Sequence, residues 1–458
     1  MFNPQSTLDI QQESKTLVFV RNEDNLHFKA VEEALGTKLE VEEKENLSVY
    51  ATLGKLPSKH VVVIAETALE DVEKRTAVCK ALASRKDDWL LVLETVPNDV
   101  TTALFSGLMH ASYAFKAFKS NQKEDARLRA YTAVLERADL VHEGIVIGEA
   151  INHARDLINT PYNFLNAVKL AEYAKGLEGI EGVTVKVYDK AACEAMHMGA
   201  FLGVNKGSKD APQLIHVMYE PKHKTTEKTA LIGKGVMYDT GGYSLKTPQG
   251  MPNMKCDMGG AATVLGAIEA IARLKSSQAV MAVVAATDNR IGEDAIVPDD
   301  ILTAANGKTI EIISTDAEGR LTLADALWFA QKEGATRMID VATLTGAVVS
   351  ALGTEYTGAF TNNQNYLDSF NEAVKASDEN IWQLPIHKAH LKALESYVAD
   401  FTNSGGRLAG ASIAAAFLQE FVNQDTPWIH LDIAGTSFDK KTGASGVMIP
   451  SLIQFLKN

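Results

Sequence analysis

The feature that most restricts the fold is a series of short, almost unbroken apolar runs. VTVKVY (183–188), LIHVMY (214–219), TALIG (229–233), AVMAVVAA (279–286), TIEIIS (309–314), RMIDVAT (337–343) and WIHLDI (428–433) each have the length of a strand. Most do not alternate apolar with polar, as a half-wet strand would, so they predict strands covered on both faces. The cover is written between them as helical patterns: FLNAVKLAEYAKG (164–176), GGAATVLGAIEAIARLK (259–275), TLADALWFAQKEG (322–334) and GASIAAAFLQEFV (410–422). The reading is an α/β fold, without the 20–50-residue period of a repeat protein.

The first third alternates in the same way, with TLVFV, HVVVIA and WLLVLE separated by patterns such as ALEDVEKRTAVCKALASRK. It carries no clustered acids, glycine fingerprint or histidine pair. From about residue 122 to 157 one long helical pattern runs without proline, and INTPYN (158–163) breaks it, because Pro161 cannot sit inside a helix. These signals predict an N-terminal α/β domain over 1–160, ending in that connecting helix, and a second, larger α/β domain over 161–458. A chain of 458 residues is long enough for both cores.

Composition narrows the class. Lys+Arg 45 against Asp+Glu 58 gives a net charge of −13, which disfavours nonspecific nucleic-acid binding. No apolar run approaches a membrane span, and the N-terminus lacks a secretory pattern. Three widely spaced cysteines cannot build a disulfide framework, so a reducing, cytoplasmic location is expected.

Three stretches place polar residues where the pattern is buried. LIGKGVMYDTGGYSLK (231–246) runs a buried-type strand into Lys234, with Asp239 and Lys246 following; MKCDMGGAA (254–262) sets Asp257 before a helix of small residues; STDAEGRLTLADAL (314–327) spaces Asp316, Glu318 and Arg320 two apart. Each alone has an ordinary reading as a helix cap, a solvated lysine or a polar strand face. Together they put four carboxylates at the ends of apolar strands, where open α/β sheets hold their ligands. Four acids in close company raise one another's pKa unless cations join them. Divalent ions such as Mg, Mn or Zn suit an oxygen-rich set, and paired ions about 4 Å apart form a hydrolytic arrangement.

The blocks GKGVMYDTGGYSLK, MKCDMGGAA and TDAEGRL together resemble the leucyl aminopeptidase family of cytosolic dinuclear-metal exopeptidases. The likeness runs from DLINTPYN (156–163) through AFLGVNKGS (200–208) to WIHLDIAGT (428–436), and it implies that the larger domain, 161–458, is the catalytic one, an α/β domain with a mixed central sheet. The resemblance implies two divalent ions per chain, Mn or Zn first and Co or Mg as alternatives. Lys234, Asp239, Asp257 and Glu318 would hold the tighter ion, and Asp239, Asp316 and Glu318 the more exchangeable one. Lys246 would stabilise the developing oxyanion, Arg320 would hold bicarbonate, and Met254, Thr343, Gly346 and Ala444 would line the side-chain pocket. The implied activity is release of N-terminal residues, leucine-like preferred, from short peptides by hydroxide attack. The implied assembly is a homo-oligomer, a hexamer. Ser314, Tyr238, Thr240 and the loop ATDNRIGEDAIVPDD (286–300) depart from the usual family residues without removing a ligand.

The rival functional class is a DNA-binding or regulatory member of the same family, which the acidic balance opposes. His387 and His390 lack a third metal ligand nearby and read as part of a surface helix. His430 and Asp432 lack a nucleophile elbow, so His430 reads as a core residue.

Overall fold

The computed structural model describes residues 2–42, 44–120, 128–223 and 225–457. The chain forms two compact units, Met1–Asn152 and His153–Asn458.

The first unit is built on six strands: β1 (Phe2–Gln5), β2 (Thr16–Val20), β3 (Leu47–Ala51), β4 (His60–Ile64), β5 (Trp89–Leu91) and β6 (Arg129–Thr132). Their order is β1-β6-β5-β2-β4-β3, parallel throughout except for the edge strand β3. The period of two is visible in the packing. Leu17 and Phe19 enter one apolar cluster with Phe28 and Val31, while Val18 and Val20 enter another with Leu91 and Phe105. Burial on both faces is why TLVFV is apolar at every position after its first.

One expectation is corrected here. The pattern from 122 to 157 is not one helix: residues 129–132 form β6, and the helix runs Ala138–Asn159. Residues 122–127 lie outside the described residues. RAYT serves as a strand because Ala130 and Tyr131 enter opposite clusters and its backbone pairs with β1 and β5. Tertiary pairing outweighs a helical pattern whose apolar content is mostly alanine and leucine. The INTPYN break does coincide with the helix end at Asn159.

The second unit adds β7 (Val183–Tyr188), β8 (Gln213–Tyr219), β9 (Lys228–Asp239), β10 (Ala279–Asn289), β11 (Ile301–Thr303), β12 (Thr309–Glu311), β13 (Arg337–Ala342), β14 (Thr357–Thr361), β15 (Ile381–Gln383), β16 (Phe401–Thr402) and β17 (Trp428–Asp432). Eight of them make the main sheet, in the order β15-β14-β17-β13-β9-β10-β8-β7. The centre, β17-β13-β9-β10, is parallel, and antiparallel pairs flank it, so the sheet is mixed. TIEIIS contributes only β12, which lies in a separate sheet with β11 and β16. Among the described residues no helix is long and apolar enough to cross a membrane.

Candidate metal centre

The site begins in an irregularity of β9. Along β10 the register pairs Thr287 with Val236 but Asn289 with Asp239, so β9 spends one more residue than β10 over this step. In an unbroken strand, Lys234 and Asp239 are five positions apart and point to opposite faces. The extra residue reverses that parity and lets both side chains serve one site. Lys234 therefore lies inside the strand, not at its end, with 3% exposure.

Beyond Asp239 the chain turns through Gly241, whose φ of 85° is open to glycine but strained for other residues. A Cβ there would meet Ser244 O at 2.5 Å and Asp316 Oδ1 at 2.9 Å. The turn delivers Lys246, anchored by its backbone N–H donating to Thr240 O at 3.0 Å. Asp257 comes from a short 3-10 segment, Met254–Met258, running into the helix Gly259–Arg273. Asp316 lies in a turn rather than a strand, and Glu318 is the N-cap of the helix Gly319–Lys332.

Lys234 Nζ is surrounded by acceptors: Asp257 Oδ2 at 2.8 Å, Glu318 Oε1 at 3.0 Å and Thr343 O at 3.0 Å. The Thr343 hydroxyl also donates to Asp257 Oδ1 at 2.8 Å. Lys246 Nζ lies 2.7 Å from both Asp239 Oδ2 and Asp316 Oδ1. Asp239, Asp316 and Glu318 each offer one carboxylate oxygen within 4.8 Å of the others. Asp257 and Lys234 join this set through Glu318, so all five expected metal ligands are brought together.

The electrostatics suit cations. Four carboxylates face two ammonium groups, so the acids are in excess. Burial, reinforced by Asp239, pushes the Glu318 carboxyl up to about 8. Burial also lifts Asp257 to about 6 against the pull of Lys234, and raises Asp316. Burial works against the Lys234 and Lys246 ammonium groups, but the surrounding acids outweigh it and raise both. Glu318 Oε2 is buried without a hydrogen-bond partner. An acid-rich, oxygen-donor cluster with an unpaired buried carboxylate oxygen fits divalent ions.

Arg320 sits beside this cluster, 8% exposed, with one guanidinium nitrogen donating to Asn403 O at 2.7 Å. Its Nε has no hydrogen-bond partner, and burial lowers its pKa to about 10. Met254 opens the 3-10 segment, Gly346 opens the helix Gly346–Leu352, and Ala444 donates its backbone N–H to Asn159 Oδ1 while its carbonyl accepts from Arg155 Nε.

The other polar candidates fall elsewhere. His387 caps the short helix Lys388–Lys392 by accepting from Ala389 N. His430 is fully buried, its Nδ1 2.6 Å from Asp340 Oδ1 rather than paired with Asp432. Sequence reasoning missed two buried amides. Asn289 bonds Asp239 and the Thr315 carbonyl; Asn403 bonds the backbone of Ile313, Ser314 and Ala317. The signal for Asn289 is present in the sequence, a polar residue closing a buried strand.

The comparisons agree with this geometry. Residues 152–453 match the model of the cytosol aminopeptidase family, catalytic domain. The fold is similar to a mutant of tomato leucine aminopeptidase, with 28% identity and a TM-score of 0.85, covering 99% of this chain and 97% of that one. With the family matched over most of the chain and an acid-lined site at the strand ends, this chain belongs to the cytosol aminopeptidase family and is a hydrolase of the leucyl aminopeptidase type.

Proposed function

We propose that the chain is a two-metal aminopeptidase that releases N-terminal residues, leucine-like ones preferred, from short peptides. The observation that carries this reading is the convergence of Asp239, Asp316 and Glu318 within 4.8 Å, flanked by Lys234 and Lys246. Lys234, Asp239, Asp257 and Glu318 would hold one ion, and Asp239, Asp316 and Glu318 a second, with Asp239 and Glu318 shared. Mn or Zn is favoured; Co or Mg would also fit oxygen donors. When bound, the two ions supply Lewis acidity and lower the pKa of a water toward neutrality.

The chain's own residues complete the chemistry. Without an ion the surrounding acids keep Lys234 protonated. With a dication in their midst the neutral amine would be favoured, its proton passing to solvent, and Lys234 would then be a ligand with Thr343 O still placed to fix the amine. Lys246, 18% exposed, presents a cation to the scissile carbonyl oxygen as negative charge develops on it. Arg320, with its free Nε, would hold bicarbonate as a proton acceptor. Met254, Thr343, Gly346 and Ala444 would line the side-chain pocket. An apolar pocket separates substrates differing by one methylene by only about 1–3 kcal/mol, so preference is graded.

Catalysis belongs to the larger domain, 161–458, which contains every one of these residues. The three free cysteines support a reducing cytoplasm, and a hexamer is the assembly expected from the family. The test is chelation followed by refilling with Mn, Zn or Co, assayed on leucine and Cys-Gly substrates. Activity should vanish on chelation and return with metal; turnover indifferent to chelator would overturn the reading.

A further inference from the structure

We propose that Asn289 is a positioning residue of the centre, setting the carboxylate of Asp239 and tying it to the turn that carries Asp316 and Glu318. The proposal rests on the two-metal reading above.

Asn289 is 2% exposed and ends β10 opposite Asp239, where the register shifts. Its amide Nδ2 donates to Asp239 Oδ1 at 2.8 Å and to the Thr315 carbonyl at 2.9 Å. Its own carbonyl accepts from Thr240 N at 3.0 Å and Thr240 Oγ1 at 2.8 Å. One residue thus ties the end of β9, the turn leading to Lys246 and the Asp316–Glu318 turn.

The chemistry of the group explains the choice. Both partners of Nδ2 are pure acceptors, a carboxylate and a carbonyl, so only the NH₂ end of the amide fits there. Its two hydrogens serve both acceptors at once. A serine hydroxyl has one hydrogen and could serve only one. An aspartate would face Asp239 and Thr315 O with lone pairs. Asp239 Oδ1 also accepts from Gly241 N at 2.8 Å, so its orientation is fixed by two donors on one oxygen. That leaves Oδ2 for Lys246, whose Nζ also meets Asp316 Oδ1. Outer partners of this kind hold a ligand in its productive geometry, and their loss weakens metal binding by about 10–100-fold.

The experiment uses the full chain, stripped of metal and titrated with Co²⁺, for the parent, N289A and N289L. Binding is followed by calorimetry and by the visible spectrum of the bound cobalt. Thermal unfolding without metal monitors folding separately. N289A should bind Co²⁺ about 10–100-fold more weakly, with an altered spectrum. N289L keeps the bulk of asparagine, adds no charge and has no donor, so it should weaken binding as N289A does and decides the matter if N289A fails to fold. Parent affinity and an unchanged spectrum in the folded variants would overturn the role of Asn289, since a purely structural residue would shift only the unfolding temperature. A parent chain that binds no ions would instead overturn the two-metal reading itself, a result seen before any variant is made.

Discussion

Lys234 and Glu318 meet at 3.0 Å, though one lies within a buried strand and the other stands just before a helix more than eighty residues later. Gly319 makes the meeting possible. A Cβ on it would stand 2.5 Å from Lys234 Cε and 2.7 Å from its Nζ. The lysine is enclosed by acids and cannot swing aside. Gly319→Ala is therefore expected to displace the amine, lower metal affinity and cost about 1–3 kcal/mol from overpacking. Metal titration and denaturant unfolding would check it; an unchanged affinity would show that Lys234 can be moved without harm.

Asp239 and Glu318 are the two carboxylates proposed to be shared between ions. Asp239→Ala or Glu318→Ala should lower bound metal and reduce peptidase activity to background, with the circular dichroism of the folded chain retained. The decisive measurement is metal per chain by elemental analysis. Two ions retained with normal turnover would contradict the assignment.

The two lysines should separate. Lys246→Ala is expected to lower kcat by about 10²–10³-fold while metal content is kept, as for loss of an oxyanion donor. Lys234→Ala should instead lose metal. Equal metal loss in both variants would mean that Lys246 is structural for the acid cluster it now pairs with.

His216 offers a pH test away from the site. It is 4% exposed, packs edge-on against Phe329, and neither ring nitrogen has a hydrogen-bond partner. Burial lowers its pKa below the ordinary 6.5, despite Glu333 at 3.9 Å. The unfolded chain then takes up a proton before the folded one does. This residue's contribution is complete above pH 6.5 and falls as pH drops, by up to about 1.4 kcal/mol per pH unit. His216→Leu should flatten the acid side of a urea-midpoint profile between pH 7 and 5. A profile identical to the parent's would exclude His216 as a source of acid sensitivity.

Assembly is tested by sedimentation at physiological salt. The proposed hexamer predicts a species of about six chains of 49.5 kDa each. Full activity in a single-chain species would rule out a need for assembly.

Much of this protein is local in the sequence. Continuous apolar runs and the helical patterns between them determined an α/β sheet covered on both faces, because burial on both sides leaves no polar alternation; the mixture of strand directions is a matter of pairing. The proposed ligands were legible for a similar reason: Asp239, Asp257, Asp316 and Glu318 are charges where the surrounding pattern is buried, and that contradiction has few physical solutions. RAYT shows where local reading stops. Its helical pattern gave way to pairing with β1 and β5, partners distant in sequence. The same holds for the register step between β9 and β10. No residue type announces it, yet it changes the parity between Lys234 and Asp239 and sets Asn289 against the carboxylate. The sequence by itself determined which side chains must be neutralised. Only tertiary structure decided which atoms meet, because register and close helix approach are fixed by packing between segments far apart in the chain.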